Sequence, residues 1–140
     1  REHAAVYGGE MSGHHYFRDF YFSDSGMIPW LLVTQIMSKA NQPLSHLTSE
    51  RMQQYPISGE INVKVNNPEE LLGRVKEQYL EQSVSIDDMD GYSFDLSSWR
   101  FNLRMSNTEP LVRLNVESRA DRELLMKKTD EILDFIEKFK

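Results

Sequence analysis

Two alternating stretches near the C-terminal end constrain this chain more than anything else in it: Trp99–Met105 and Leu111–Glu117. In the first, Trp99, Phe101, Leu103 and Met105 alternate with Arg100, Asn102 and Arg104. In the second, Val112, Leu114 and Val116 alternate with Arg113, Asn115 and Glu117. A period of two is the signature of strands with one buried and one wet face. Only five residues separate them, so an antiparallel hairpin is the expected connection. A slip of one residue would turn one apolar set to water. The register that keeps both sets on one side places Leu103 opposite Leu114 and Arg104 opposite Arg113.

The flanking sequence supplies the rest of a layered domain. Ile57, Gly59, Ile61, Val63 and Val65 alternate with polar residues and predict another strand. Asn67-Pro68-Glu69-Glu70 is a helix start, with Asn67 as cap, Pro68 in the first turn and Glu70 at the capping-box position. Leu71, Leu72, Val75 and Tyr79 form that helix's apolar stripe. Ser83–Asp87 and Tyr92–Leu96 flank Asp90-Gly91, a hairpin turn. A last helix over Asp121–Phe139 lines up Leu125, Thr129, Ile132, Ile136 and Phe139. The order predicts an α+β domain over 57–140: an antiparallel sheet with two helices on one face.

Residues 1–47 read differently. Ala4–Tyr7 is short and apolar, Gly8-Gly9 turns, and Tyr16–Phe22 is aromatic and strand-like. Met27–Lys39 predicts a helix whose Ile28, Leu31, Leu32, Val33, Ile36 and Met37 cover a broad face. So few residues hold too little strand to cover it. The segment reads as the α/β tail of a domain whose main sheet lies upstream, with 48–56 as a linker. The opening Arg1-Glu2-His3-Ala4-Ala5-Val6 reads like the interior of a longer protein.

Composition excludes some functions. A net charge of −6 argues against a nucleic-acid groove, which needs a basic face. No apolar run approaches the roughly 18 residues a membrane helix requires. With no cysteine there are neither disulfides nor thiolate metal sites, which fits a reducing cytoplasm.

Two clusters carry chemistry. Like charges facing each other across strands destabilise a sheet by about 0.2–1 kcal/mol, and a bound anion would relieve Arg104 and Arg113. Beside them Ser106-Asn107-Thr108 offers two hydroxyls, an amide and consecutive backbone N–H groups, the makings of an anion-holding concavity. The guanidinium fork matches phosphate oxygens. Arg104, Ser106, Asn107 and Thr108, with Arg113 contributing, are the candidate phosphate-binding residues. The alternative is an ordinary polar turn with two solvated arginines.

The second cluster is Gly8-Gly9-Glu10-Met11-Ser12-Gly13-His14-His15. Glycines admit close approach of a ligand, and Glu10 and Ser12 can take hydrogen bonds from sugar hydroxyls. His14 can bind phosphate or move a proton near neutral pH. A metal reading from His14, His15, Glu10 and Asp19 competes, as does a glycine turn with a satisfied histidine. Adjacent strand histidines point to opposite faces, so one ion could hardly take both. The acidic Asp87-Asp88-Met89-Asp90 lacks the twelve-residue calcium-loop pattern. Trp30 and Trp99 are expected in a core or an interface.

Gly9-Glu10-Met11-Ser12-Gly13-His14 resembles the sugar-recognition loop of the α-D-phosphohexomutase family. Arg104-Met105-Ser106-Asn107-Thr108-Glu109-Pro110 resembles its phosphate-binding loop, with Asn107 favouring the phosphomannomutase branch. The resemblance implies the end of a third domain at 1–47 and a TATA-box-binding-protein-like fourth domain at 57–140. It implies an enzyme that interconverts hexose 1- and 6-phosphates of mannose or glucose through a phosphoserine and a bisphosphorylated sugar. Glu10, Ser12 and His14 would face the sugar, and Arg104–Thr108 the phosphate that is not reacting. The family's Ser-His-Asn-Pro nucleophile segment and Asp-Gly-Asp-Gly-Asp magnesium loop are absent. Mg2+ is therefore expected in the parent enzyme and none in this chain, which should be inactive alone. A stand-alone anion-binding or regulatory module is the competing reading. The apolar helix Met27–Lys39 predicts self-association of the isolated chain. Light scattering checks this: a strictly monomeric mass at high concentration would contradict it.

Overall fold

The structure, a computed structural model, describes residues 4–10 and 13–140 and divides into two compact units, 1–49 and 50–140. In the first, β1 (Tyr7–Gly9), β2 (His15–Phe17) and β3 (Ser23–Asp24) form a small antiparallel sheet in that order. The aromatic stretch expected as one strand over Tyr16–Phe22 stops at Phe17. A short 3-10 turn, Arg18–Phe20, follows, and Tyr21 and Phe22 have φ of 56° and 55°. Two consecutive left-handed residues cannot continue a strand, so the chain reverses there.

Helix α1 (Met27–Ala40) forms where periodicity placed it and ends at Asn41, whose left-handed φ of 52° closes the last turn through its N–H to the Met37 carbonyl. It buries no residue; Trp30, Leu31, Leu32 and Ile36 are all exposed. Trp30, expected in a core or an interface, is 58% exposed. Helix α2 (Leu44–Gln54) takes up most of 48–56, the stretch expected as a linker. Its few apolar residues are too scattered to mark it by periodicity.

The second unit carries the main core. Strands β4 (Ile61–Lys64), β5 (Ser85–Asp87), β6 (Tyr92–Asp95), β7 (Trp99–Met105) and β8 (Leu111–Ser118) form one sheet. All neighbours are antiparallel, in the order β4-β8-β7-β6-β5. Helices α3 (Pro68–Tyr79) and α4 (Arg122–Glu137) contribute Leu71, Val75 and Tyr79, and Leu125, Ile132 and Ile136, to the core they share with Phe94, Phe101, Leu103, Leu114 and Val116. Asn67 caps α3 by accepting from the Glu70 N–H at 3.1 Å, and Asp121 caps α4 from the Leu124 N–H at 2.8 Å. The Phe101 ring lies 4.7 Å from Phe94 and 4.9 Å from Tyr79, edge-on to the latter. Burial pushes the Tyr79 phenol up to about 12, and its hydroxyl points to Glu131 of α4.

Two details position the candidate site. The expected strand over 57–65 is broken at Gly59, whose φ is +72°. Before it, Ser58 exchanges hydrogen bonds with Val116 at 2.9 Å, through its N–H and its hydroxyl. Opposite, the β5–β6 turn presses Gly91 (φ +70°) onto β7. A Cβ there would lie 2.4 Å from the Leu103 carbonyl oxygen and 2.6 Å from the Arg104 Cα. Gly91→Ala should therefore lower unfolding stability by at least about 1–3 kcal/mol, from backbone strain before the overlap is counted. Urea denaturation checks this; a loss below about 0.5 kcal/mol, the ordinary surface level, would contradict it.

Candidate functional site

Strands β7 and β8 pair in the expected register: Leu103 faces Leu114, and Arg104 faces Arg113. The two guanidiniums are about one quarter and one third exposed. The sheet relieves their repulsion internally, which the sequence argument had left to a bound anion. Glu60, just before β4, places one carboxylate oxygen 3.2 Å from Nη2 of Arg104 and the other 3.8 Å from Nη1 of Arg113. Asp90 of the β5–β6 turn lies 3.5 Å from Nη1 of Arg104. The Arg113 Nε is buried without a hydrogen-bond partner.

The loop that follows β7 is closed by the Ser106 N–H donating to the Leu111 carbonyl at 2.9 Å. Ser106 and Thr108 hydroxyls lie 3.4 Å apart, and the Thr108 N–H is 3.4 Å from the Ser106 hydroxyl. Asn107 and Thr108 are exposed and Ser106 is half-buried. Arg104, Ser106, Asn107 and Thr108 thus gather at one end of the sheet's polar face, with Arg113 beside them. Such a group can hold an oxyanion by a charged fork, two hydroxyls and backbone donors. Further along this face Arg100 pairs with Glu117 at 2.5 Å, and Asn102 donates to the Ser93 hydroxyl at 3.0 Å.

In the first unit, backbone hydrogen bonds bring Glu10, Gly13 and His14 together. The Glu10 N–H donates to the His14 carbonyl at 2.9 Å, and the Gly13 N–H to the Glu10 carbonyl at 3.0 Å. Gly13 has φ +83°, which suits glycine. Ser12, the other expected sugar contact, lies outside the described residues, as does Met11. The Tyr16 hydroxyl hydrogen-bonds Glu10, and this bond raises the phenol above its usual range.

Asp24 organises the histidines. One of its oxygens is 2.7 Å from Nδ1 of His14, and the other accepts from the His15 N–H at 2.8 Å. That hydrogen bond, reinforced by Asp24's charge, raises the His14 imidazole above its ordinary value and lowers the Asp24 carboxyl. The His15 ring turns instead to the Tyr7 hydroxyl at 2.6 Å. The two imidazoles take separate partners, His14 lying just before β2 and His15 opening it. Among the described residues no group of three or more His, Cys, Asp or Glu is disposed to hold a metal ion. Nor is any helix among them long and apolar enough to cross a membrane.

Asp24, Tyr16 and Glu60 escaped the sequence reading. Asp24 sits in Ser23-Asp24-Ser25-Gly26, which reads as turn punctuation. Glu60 reads as one more outward residue of a strand. Its one signal was an acid on the wet side of the strand that pairs with Arg113.

Comparison with known proteins supports the fold and the family. Residues 1–55 match phosphoglucomutase/phosphomannomutase, alpha/beta/alpha domain III, and residues 60–135 match the C-terminal domain of the same family. A phosphomannomutase of Escherichia coli is 55% identical over 133 residues, covering 95% of this chain and 29% of the relative. Phosphohexose mutases of Xanthomonas campestris pv. campestris are 53% identical over 136 residues, 97% of this chain and 30% of theirs. A Vibrio cholerae phosphomannomutase is 50% identical over 139 residues, 99% of this chain and 30% of its own. A crystal structure of a phosphoglucomutase/phosphomannomutase family protein from Burkholderia thailandensis shares the fold, with a TM-score of 0.73 at 23% identity over 99% of this chain and 29% of that one. The chain thus spans about three-tenths of the length of these relatives. It belongs to the phosphoglucomutase/phosphomannomutase family and carries that family's third-domain and C-terminal-domain sequence.

Proposed function

We propose that the chain is the sugar- and phosphate-binding part of a phosphomannomutase, acting in a reducing cytoplasm. The parent would interconvert mannose 6-phosphate and mannose 1-phosphate, and the glucose phosphates with them. A phosphoserine would donate its phosphoryl group, and a bisphosphorylated sugar would form and turn over. The observation that carries this reading is the end of β7, where Arg104, Ser106, Asn107 and Thr108 converge beside Arg113.

The chain's own residues divide the work. Arg104 offers a planar fork to the phosphate that is not being transferred, and the Ser106 and Thr108 hydroxyls and the Asn107 amide fill the remaining oxygens. Glu10 and Ser12 accept from sugar hydroxyls. His14, held by Asp24, presents an imidazole whose cationic form that carboxylate favours and which can bind phosphate or pass a proton. Phosphoryl transfer is catalysed chiefly by positioning and charge neutralisation, so these contacts act on rate as well as affinity. Neither the Ser-His-Asn-Pro segment nor the Asp-Gly-Asp-Gly-Asp loop occurs in this sequence. The phosphoserine and the magnesium of the parent are assigned to other segments, and no step here runs through the metal.

Binding of mannose 1-phosphate to the chain should weaken roughly 10- to 100-fold in Arg104→Ala, the loss expected for charge-assisted hydrogen bonds. Calorimetric or NMR titration checks this, and unchanged affinity would sink the phosphate assignment. Equal affinity for inorganic phosphate and mannose 1-phosphate would favour the stand-alone anion-binding module. The pure chain should convert no mannose 6-phosphate; measurable turnover would refute the division of labour.

His14 should titrate above 6.5 by NMR, and Asp24→Asn should bring it back down. Because His14 is raised and Asp24 lowered in the fold, the pair's contribution to stability is fully present between about pH 3.8 and about pH 6.5; it is lost as pH climbs through the raised His14 value and as pH falls through the lowered Asp24 value. A midpoint that Asp24→Asn does not move would remove Asp24 from this role.

A further inference from the structure

Glu60 is the acidic side chain that touches both arginines at the phosphate loop, and it is the least exposed of the three, at 19%. Each carboxylate oxygen serves a different guanidinium, and the Asn62 amide approaches the same carboxylate at 3.5 Å. The backbone that presents it is anchored. Ser58 ties the segment to Val116 of β8, and Gly59 turns the chain so that Glu60 reaches over β8 to Arg104 on β7. Asp90 meets Arg104 from the other side, but it is 76% exposed and well screened.

Two opposed effects follow for an incoming phosphate. The Glu60 charge repels it, since the effect of one charge on another over a few ångströms is felt even at the effective dielectric of a protein surface. Glu60 also fixes the fork. A free arginine side chain carries about 2 kcal/mol of rotamer entropy, and a guanidinium already held loses less of it on binding. Without Glu60, the like charges of Arg104 and Arg113 would drive the two side chains apart.

We infer that Glu60 is a positioning residue of the phosphate site: it orients Arg104, and through Arg113 steadies the pair, so that the guanidinium is held in place at the end of β7, two residues before the Ser106–Thr108 loop, before ligand arrives. This rests on the phosphate reading of Arg104–Thr108. The two effects of Glu60 have opposite signs, which makes the assignment testable. Removal of a bystander charge tightens anion binding, whereas removal of an orienting group weakens it.

The test is an NMR titration of the 140-residue chain with inorganic phosphate and, separately, with mannose 1-phosphate. Wild type, Glu60→Gln, Glu60→Asp and Arg104→Ala are compared. Glu60→Gln should raise Kd about three- to tenfold for both ligands, a coupling typical of neighbouring groups in one network, although it deletes a repulsive charge. Glu60→Asp keeps the charge but shortens the reach, and should weaken binding in the same direction. The Arg104 Nε–H resonance, assigned by its loss in Arg104→Ala, should be sharp in wild type and broadened in both Glu60 variants. Unchanged or tighter binding in either Glu60 variant, or an unaltered Arg104 resonance, overturns the assignment. If Glu60→Gln does not fold, Glu60→Asp decides alone. When Arg104→Ala weakens binding and the Glu60 variants do not, only the role of Glu60 falls. When Arg104→Ala leaves affinity intact, the phosphate reading falls and the role of Glu60 falls with it.

Discussion

The pairing of β7 with β8 is the constraint on which the second unit depends. These strands occupy the second and central positions of a five-stranded sheet, and their register fixes both faces together. On one side Phe101 meets Val116 and Leu103 meets Leu114, all of them buried, and α3 and α4 find an apolar floor. On the other side the same register sets Arg100 against Glu117, Asn102 against Asn115, and Arg104 against Arg113. The core could not be kept while the arginines were moved apart, because a slip of one residue exchanges the faces entirely. The charge conflict at the loop end is thus a by-product of good packing. It had to be compensated from elsewhere in the sheet.

The compensation explains which parts of the fold were legible in the sequence. Period-two and period-three-to-four patterns are local, so β7, β8, α1, α3 and α4 could be read with their faces. Asn67 announced its helix because a cap is a short-range hydrogen bond between residues three apart. Glu60 is forty-four residues from Arg104 in sequence. It meets Arg104 only because Gly59 breaks the strand and β8 lies between. Asp24 likewise reaches His14 across a sheet of two- and three-residue strands, where no periodicity can develop. Helix α2 was missed for the opposite reason: Leu44–Gln54 has helical backbone but buries nothing, so no apolar stripe marks it. Tertiary partners of charged groups and elements without a buried face are the two things local pattern does not encode.

The first unit shows what such patterns say when their counterpart is not at hand. α1 has the composition of a helix covered by a sheet, yet Met27, Trp30, Leu31, Leu32 and Ile36 are all exposed. The three strands beside it are two or three residues long. A match to an alpha/beta/alpha domain over residues 1–55 accounts for this composition, because a helix in such a layered domain is apolar wherever it meets the sheet. The Glu10–His14 backbone contact and the Asp24 pair rest on short hydrogen bonds within the unit.

Charge at the phosphate loop then follows a simple ladder: Asp90, Arg104, Glu60, Arg113. With two acids and two bases the ladder is neutral overall, yet its members are not equivalent. Asp90 is mostly in water, where its pull on Arg104 is screened, so the half-buried remainder of the ladder, one acid with two bases, carries a net positive charge. The loop itself is polar and mostly exposed, and its hydroxyls engage each other only at 3.4 Å, a distance at which a hydrogen bond is weak. Donors so loosely committed are available to a ligand at little cost in existing bonds. On the proposed phosphate reading, a half-compensated arginine pair beside a loosely bonded hydroxyl loop would recognise phosphate and still let it go, as a protein must if its sugar has to leave and return in the opposite orientation.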